Sequence, residues 1–485
     1  MYKALVATAI VRPHPKSDNG LKLININGYQ VISGADIKNG DIVIFFEAGG
    51  VMDTDLLAFH NEFRSKLGLN DNQQSLRAQF ERPALSEDEI VELHRLISER
   101  PGGFFEENAR IRSIKLRGER SEGFVVTPQF FAHLNPPENF FIPGHTFDTI
   151  GDKKICWKYV SPATRRQQAM LEKQSGRKLG LDMFHAHYDT ENLRHIVNTI
   201  PDGARVIITE KLHGSSGRTG NVLVDEPLAW WQRLLAYVGV VVRPNRSWKS
   251  VTGTRNVVRF VGEEPDLRPD LAGEDQSVRW EIHRELAPKL QKGETVYYEI
   301  VGHWENGTPI FKHAIPEDDI GKEIYKAYKN RIPSHWGRNF HYVYGLAGNA
   351  YAVYVYRITQ TNVDGQSVDL GWEQIQRRCK ILGLRTVPEI SHGTLWADSA
   401  GYVFIDNAVR DPSNRGEIEE PFLPMLDLLG ARPSTLDPRH ISEGVCVRIE
   451  HPEMEKTAKY KGFNFCHLEG IRKNSDDYID PEEAA

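Results

Sequence analysis

Lys211 closes a strand-like apolar segment, ARVIITE, and opens a turn of small residues that runs Glu210, Lys211, Leu212, His213, Gly214, Ser215, Ser216. That setting suits a covalent nucleophile, because a lysine amine attacks only when deprotonated and neighbouring cations favour the neutral form. Gly214 would let the backbone approach a phosphate closely, and the hydroxyls of Ser215 and Ser216 can donate to one. Taken by itself, so short a motif fits a surface loop equally well.

Further fragments follow downstream in a fixed order. Arg255 lies in a Gly-Thr-Arg-Asn turn and could reach a phosphate or a ribose. Glu299 follows the Val-Tyr-Tyr run of TVYYEIVG, the kind of carboxylate that holds a ribose hydroxyl. In YAVYVYRIT the aromatics alternate with aliphatics, so Tyr354 and Tyr356 face one side of a strand and one of them could stack on a base. Glu443 begins SEGVCVRIE and could bind a divalent ion directly or through water, with Glu299 as a second carboxylate for it. Lys459 and Lys461 share a face at period two and form a cationic clamp for a triphosphate.

This order resembles the covalent nucleotidyltransferase superfamily of polynucleotide ligases and mRNA capping enzymes. The resemblance implies that Lys211 accepts the nucleotidyl group and that Glu299 belongs to the third motif. It makes Tyr356 the ring that stacks on adenine, Glu443 the glutamate of the fourth motif, and Lys459 and Lys461 the lysines of the fifth. Lys-x-His-Gly, with His213 where DNA ligases and capping enzymes usually carry Asp, is similar to the RNA ligase 2-like branch. Arg357 departs from the Asp frequent in that branch, and the segment from Leu228 to Trp248 spaces Lys211 from Arg255 more widely than usual.

Those residues need elements to carry them. A chain of 485 residues is long for one hydrophobic core. Residues 1 to about 52 alternate short apolar runs with Gly, Asn and Asp turns, as the strands of a small barrel do. Helical spacing interrupts them at about 53–108, with Ser86 and Glu89 forming a capping box. Strand character returns at ARIRSIKLRGERSEGFVV, where Arg112, Lys115 and Arg117 would line one face as a surface that tracks phosphates; a solvated strand face is the plainer alternative. Residues 152–180 are basic and polar and read as a linker. The acidic segment 473–485 carries almost no apolar residue and reads as disordered.

The expected fold is α+β: an N-terminal OB-like β-barrel at 1–151 followed by a nucleotidyltransferase domain at 181–472, built of ATP-grasp-like antiparallel sheets with helices. An OB-like domain before the transferase resembles the RNA ligases of the Deinococcus type. Four cysteines without Cys-x-x-Cys spacing argue against a zinc ribbon or a disulfide framework, and a net charge of −6 gives no global pull on nucleic acid. No apolar run reaches the length of a membrane helix, and the first residues lack a signal-peptide layout, so a cytoplasmic protein is expected. The run from Leu228 to Val242, broken by Gln232 and Arg233, reads as a core or capping segment. His185 and His187 lack carboxylate or cysteine companions and read as packing or base contacts.

The implied activity is ATP-dependent RNA ligation with magnesium or manganese, sealing 3′-hydroxyl and 5′-phosphate ends or nicks, as in RNA repair, by a monomer. The alternatives are a DNA nick ligase and an inactive module that binds nucleic-acid ends.

Overall fold

A computed structural model describes the chain except residues 1, 18–19, 35, 75–85, 100–101, 167–182, 189, 227, 240–244, 256–257, 263–275, 312–314, 317–338, 341, 399–400, 407–418, 439–441 and 473–485. The acidic segment and the second half of the expected linker, from 167, therefore lie outside the described residues. Two compact units divide between Val160 and Ser161.

In the first unit Ala4–Thr8 pairs with Ile42–Glu47, which pairs with Gly123–Val126; Thr146–Phe147 closes the other edge. Successive residues on these strands feed two cores. Leu5, Ala7, Val43 and Phe45 pack with Ile24, Tyr29 and Val31, while Ala4, Val6, Ile44 and Phe46 pack with Leu56, Leu57 and Phe131. Burial on both faces explains the unbroken apolar run at 42–46. Ile10–Pro13, Lys22–Ile26 and Tyr29–Ser33 form a separate sheet, the last two joined by an Asn27-Gly28 turn with positive φ at both residues. Among the described residues the strands form no closed barrel.

The region 53–108 holds the helices Thr54–Phe59 and Glu87–Glu99, the second capped by reciprocal hydrogen bonds between Ser86 and Glu89. Cys156–Lys158, expected in the linker, instead pairs with Gly50–Met52 and belongs to the first unit. Cys156 and Ile155 are fully buried there, so the local basic composition misled.

The expected basic strand face is also broken. Only Ile114–Leu116 is strand, and it turns back through Arg117 and Gly118, both at positive φ, into Glu119–Ser121. A two-residue turn of this hand matches strand twist. Arg112 precedes the strand with a long contact to Glu106, Lys115 lies within it, and Arg117 sits at the turn, donating to the carbonyl of Lys16.

The second unit is built on two seven-stranded, mainly antiparallel sheets. One runs in the order Glu191–Asn192, Met454–Lys461, Gly444–His451, Ala204–Glu210, Glu389–Asp398, Gly401–Asp406, Glu419–Pro421. The other runs Val258–Val261, Arg246–Gly253, Ser215–Asp225, Glu294–Gly302, Tyr351–Thr361, Ser367–Asp369, with Arg385–Thr386 parallel to Tyr351–Thr361. The helices Gln276–Leu286 and Trp372–Leu382 pack apolar residues against the second sheet, and Phe422–Ala431 packs against the first.

Candidate active site

The strand Ala204–Glu210 buries Ala204, Val206 and Ile208 on one face and Ile207 on the other, which fixes where the chain emerges. Glu210 is 2% exposed and its Oε2 accepts from the Thr435 amide at 2.8 Å. Lys211 then leaves the sheet, held by its amide on the Gly444 carbonyl at 3.0 Å. Its Nζ lies 2.7 Å from Glu443 Oε1. Lys461 Nζ approaches the same oxygen at 3.1 Å, and His213 Nδ1 lies 3.2 Å from Oε2.

Glu443 is fully buried, so this carboxylate joins three residues that the order of the sequence left apart. The His213 ring packs on Phe311, 3.6 Å between centroids, and its amide donates to the Tyr344 hydroxyl at 2.6 Å. His213 thus braces the turn that carries Lys211. Gly214 answers a packing demand, since a Cβ there would stand 2.3 Å from the Ile300 carbonyl oxygen.

Lys211 lines an open cleft, and Glu210, Arg255, Glu299, Tyr356 and Lys459 line it with Lys211. Ser215 does not line it: its hydroxyl accepts from Arg279 at 2.7 Å. Ser216, next on the strand and directly opposite Glu299, lines it instead, as alternation requires. Lys459 and Lys461 divide their work. The first lines the cleft and the second reaches Glu443.

Tyr356 owes its position to a β-bulge. Arg357 stands opposite Tyr297 and Val355 opposite Tyr298, which leaves Tyr356 as the extra residue. A bulge re-aims a side chain. Tyr354, expected on the same side, is buried in the core opposite Glu299, whereas Tyr356 faces the cleft. Burial raises the Tyr356 phenol well above its usual pKa, with Glu299 adding to the rise and Arg255 opposing it. Arg255 lines the same cleft and lies within electrostatic reach of Tyr356.

Other residues complete the surroundings of the cleft, and of these Arg448 and Cys446 escaped the sequence reading. Arg448 is 5% exposed, lines the cleft, and donates to the carbonyls of Tyr356 at 3.1 Å and Leu370 at 3.3 Å, tying one sheet to the other. Arg357 is held bidentately by Asp369 and lies between the rings of Tyr188 and Tyr297, 4.4 and 4.6 Å from their centroids. His187 lines the cleft edge-on to Tyr356, while His185 bonds the Gly365 carbonyl. Cys446 lines it opposite Lys459, its thiol pushed up to about 11 by burial. The signal for Cys446 and Arg448 was present: they alternate with the core residues Val445, Val447 and Ile449.

Among the described residues no three metal-ligating side chains cluster. Glu443 faces two ammonium groups and an imidazole, and Glu299 is the other carboxylate expected to serve an ion. That donor set does not make a closed cage for a resident ion. It fits a hydrated one that takes most of its ligands from water and phosphate.

By fold the chain is an α+β protein that shares its architecture with a solved RNA ligase. Two mutant forms of Naegleria gruberi RNA ligase match it: one with ATP and manganese, at 14% identity and a TM-score of 0.50 over 96% of this chain and 98% of that one; the other without ligand, at 15% and 0.51 over 97% and 98%. No protein-family model and no curated protein matches the sequence.

Proposed function

We propose that this chain is an ATP-dependent RNA ligase that joins 3′-hydroxyl and 5′-phosphate ends through a lysyl-AMP intermediate. The observation that carries this reading is the Lys211 amine at a cleft lined by Arg255, Glu299, Tyr356 and Lys459, and held against Glu443, which Lys461 also approaches. The fold shared with an RNA ligase that binds ATP and manganese supports it.

In the first step the Lys211 amine, having lost its proton, attacks the α-phosphorus of ATP. A nitrogen–phosphorus bond forms and pyrophosphate leaves. Tyr356 stacks on the adenine and Glu299 holds a ribose hydroxyl. Lys459 and Lys461 offset charge on the phosphates, and Arg255 reaches a phosphate or the ribose. A magnesium or manganese ion arriving with ATP, served by Glu443 and Glu299, supplies further positive charge at the phosphates. AMP then passes from Lys211 to the 5′-phosphate of the RNA. A 3′-hydroxyl attacks that activated phosphate and AMP leaves. Positioning and electrostatics dominate such transfers.

The first unit is proposed to act as an OB-like module that grips the RNA backbone through Arg112, Lys115 and Arg117. The test of the central reading is direct. Protein incubated with ATP labelled at the α-phosphate and a divalent cation, then denatured, should retain label, and Lys211→Ala should retain none. An unlabelled wild type would sink the reading in favour of an end-binding module. Nicked duplexes differing only in a ribose or deoxyribose at the 3′-hydroxyl end separate RNA from DNA ligation.

A further inference from the structure

The helix Trp230–Tyr237 lies in the connection between Ser215–Asp225 and Arg246–Gly253, at the end of that hairpin away from Lys211. Ten residues of strand separate the two ends, roughly 30 Å. The expectation of a core segment fails here. Trp230 is 75% exposed, Trp231 49%, Leu234 58%, Tyr237 89% and Val238 70%. At about 100° per residue these five positions fall within an arc of roughly 120°, so they form one stripe. Gln232, on the opposite face, is the buried one, its side-chain oxygen accepting from the Ala229 amide at 2.8 Å. Among the described side chains the helix turns Gln232 inward and this apolar stripe to water.

We infer that this stripe is where two copies of the chain associate, by antiparallel packing of the helix about a twofold axis at Leu234. The spacing is self-complementary. Leu234 stands four residues from both Trp230 and Val238 and three from both Trp231 and Tyr237. An axis there sets Trp230 of one copy against Val238 of the other and Trp231 against Tyr237, a reciprocal contact of the kind a twofold interface requires. The five side chains at their observed exposures present roughly 700 Å² per copy, given about 150–250 Å² for each aromatic. That is close to the about 800 Å² per partner of a stable interface and above what a monomer usually leaves bare.

Local charge disfavours other occupants. Arg233 keeps its charge, but Arg246 pairs with Asp225 and Lys249 with Glu226, so among the described residues the surroundings carry little of the cationic excess that RNA or an anionic membrane would select.

The experiment is sedimentation of the 485-residue protein across the micromolar range, with Leu234→Glu and Leu234→Cys beside the wild type. Wild type should approach twice the chain mass of 55.2 kDa. Leu234→Glu should weaken dimerisation at least ~10-fold, as loss of an interface centre does, while melting normally and retaining label from ATP. Under mild oxidation Leu234→Cys should form an interchain disulfide that wild type does not, because residues on the axis come within the ~7 Å Cα separation such a bond allows. Wild type that stays monomeric overturns the inference, as does a Leu234→Glu protein that still dimerises or a Leu234→Cys protein that does not cross-link. Monomeric wild type that floats with phosphatidylcholine vesicles, or binds single-stranded RNA, through Leu234 would reassign the stripe. None of these outcomes bears on whether Lys211 takes up AMP.

Discussion

Tyr356 gains its place in the cleft from one unpaired residue in a ladder, and its proposed work there is stacking. Tyr356→Phe keeps the ring and should leave the ATP requirement for labelling nearly unchanged. Tyr356→Ala should raise it ~10-fold or more, since a base on an aromatic ring is worth about 1–3 kcal/mol. Titration of labelled protein against ATP measures both; equal losses would place the ring out of reach of the base. Glu62 supports a prediction of another kind. Burial lifts its carboxyl from 4.5 to about 7, so the folded chain holds this proton more tightly than the unfolded one. The stability it contributes is complete below about pH 4.5 and is lost as pH rises through 7, by roughly 3 kcal/mol at most. Melting curves from pH 4.5 to 8 should fall across that window and flatten in Glu62→Gln; parallel curves would show that other groups set the slope. The sequence made the residue types and their order legible. It could not reveal that Glu443 joins Lys211, His213 and Lys461, because those contacts arise from strand neighbours distant along the chain.

Elements turn those residues into a site through register. Gly444–His451 pairs with Met454–Lys461 so that Gly444 stands opposite Lys461 and Cys446 opposite Lys459. Gly444 has φ +144°, and a Cβ on it would stand 2.1 Å from the Tyr460 carbonyl oxygen. Gly444→Ala should therefore push the two strands apart beside Glu443, costing about 1–3 kcal/mol of stability and cutting adenylylation of Lys211 at least ~10-fold. Label uptake and a melting curve check both effects. A variant that loses stability but labels normally would show that strand spacing does not set the ion pair. Alternation predicted that Lys459 and Lys461 share a face, and the Gly, Asn and Asp positions of the first residues marked turns, of which Asn27-Gly28 is one. It left open which of Tyr354 and Tyr356 lines the cleft, because a bulge leaves no mark in the pattern, and it read a basic strand through Arg117, which is a turn residue. The helix at 230–237 was missed for a different reason. An apolar stripe implies burial, and nothing in one chain's sequence says that the burial is supplied by a second copy.

At the scale of the whole molecule the two units suggest a division of labour, which the remaining prediction separates. The proposed lysyl-AMP formation would need only the cleft of the second unit, since every residue assigned to it lies after Val160. Sealing also needs the RNA to be held, and Arg112, Lys115 and Arg117 are proposed to hold it. The structure spreads these three over a loop, a short strand and a turn. They cannot act as one continuous row, so each is expected to meet a separate phosphate, which makes their contributions additive and screened by salt. Replacing all three with Ala should leave ATP labelling of Lys211 within about twofold of wild type while lowering sealing of a nicked RNA substrate ~10-fold or more at low salt. Three phosphate contacts correspond to a binding slope near −2.7 in log affinity against log salt for duplex, and the triple variant should lose about that much of the slope. Sealing and labelling that fall together would mean that the basic residues act on the fold or on ATP rather than on RNA. An unchanged slope would assign the phosphates to other cations of the chain.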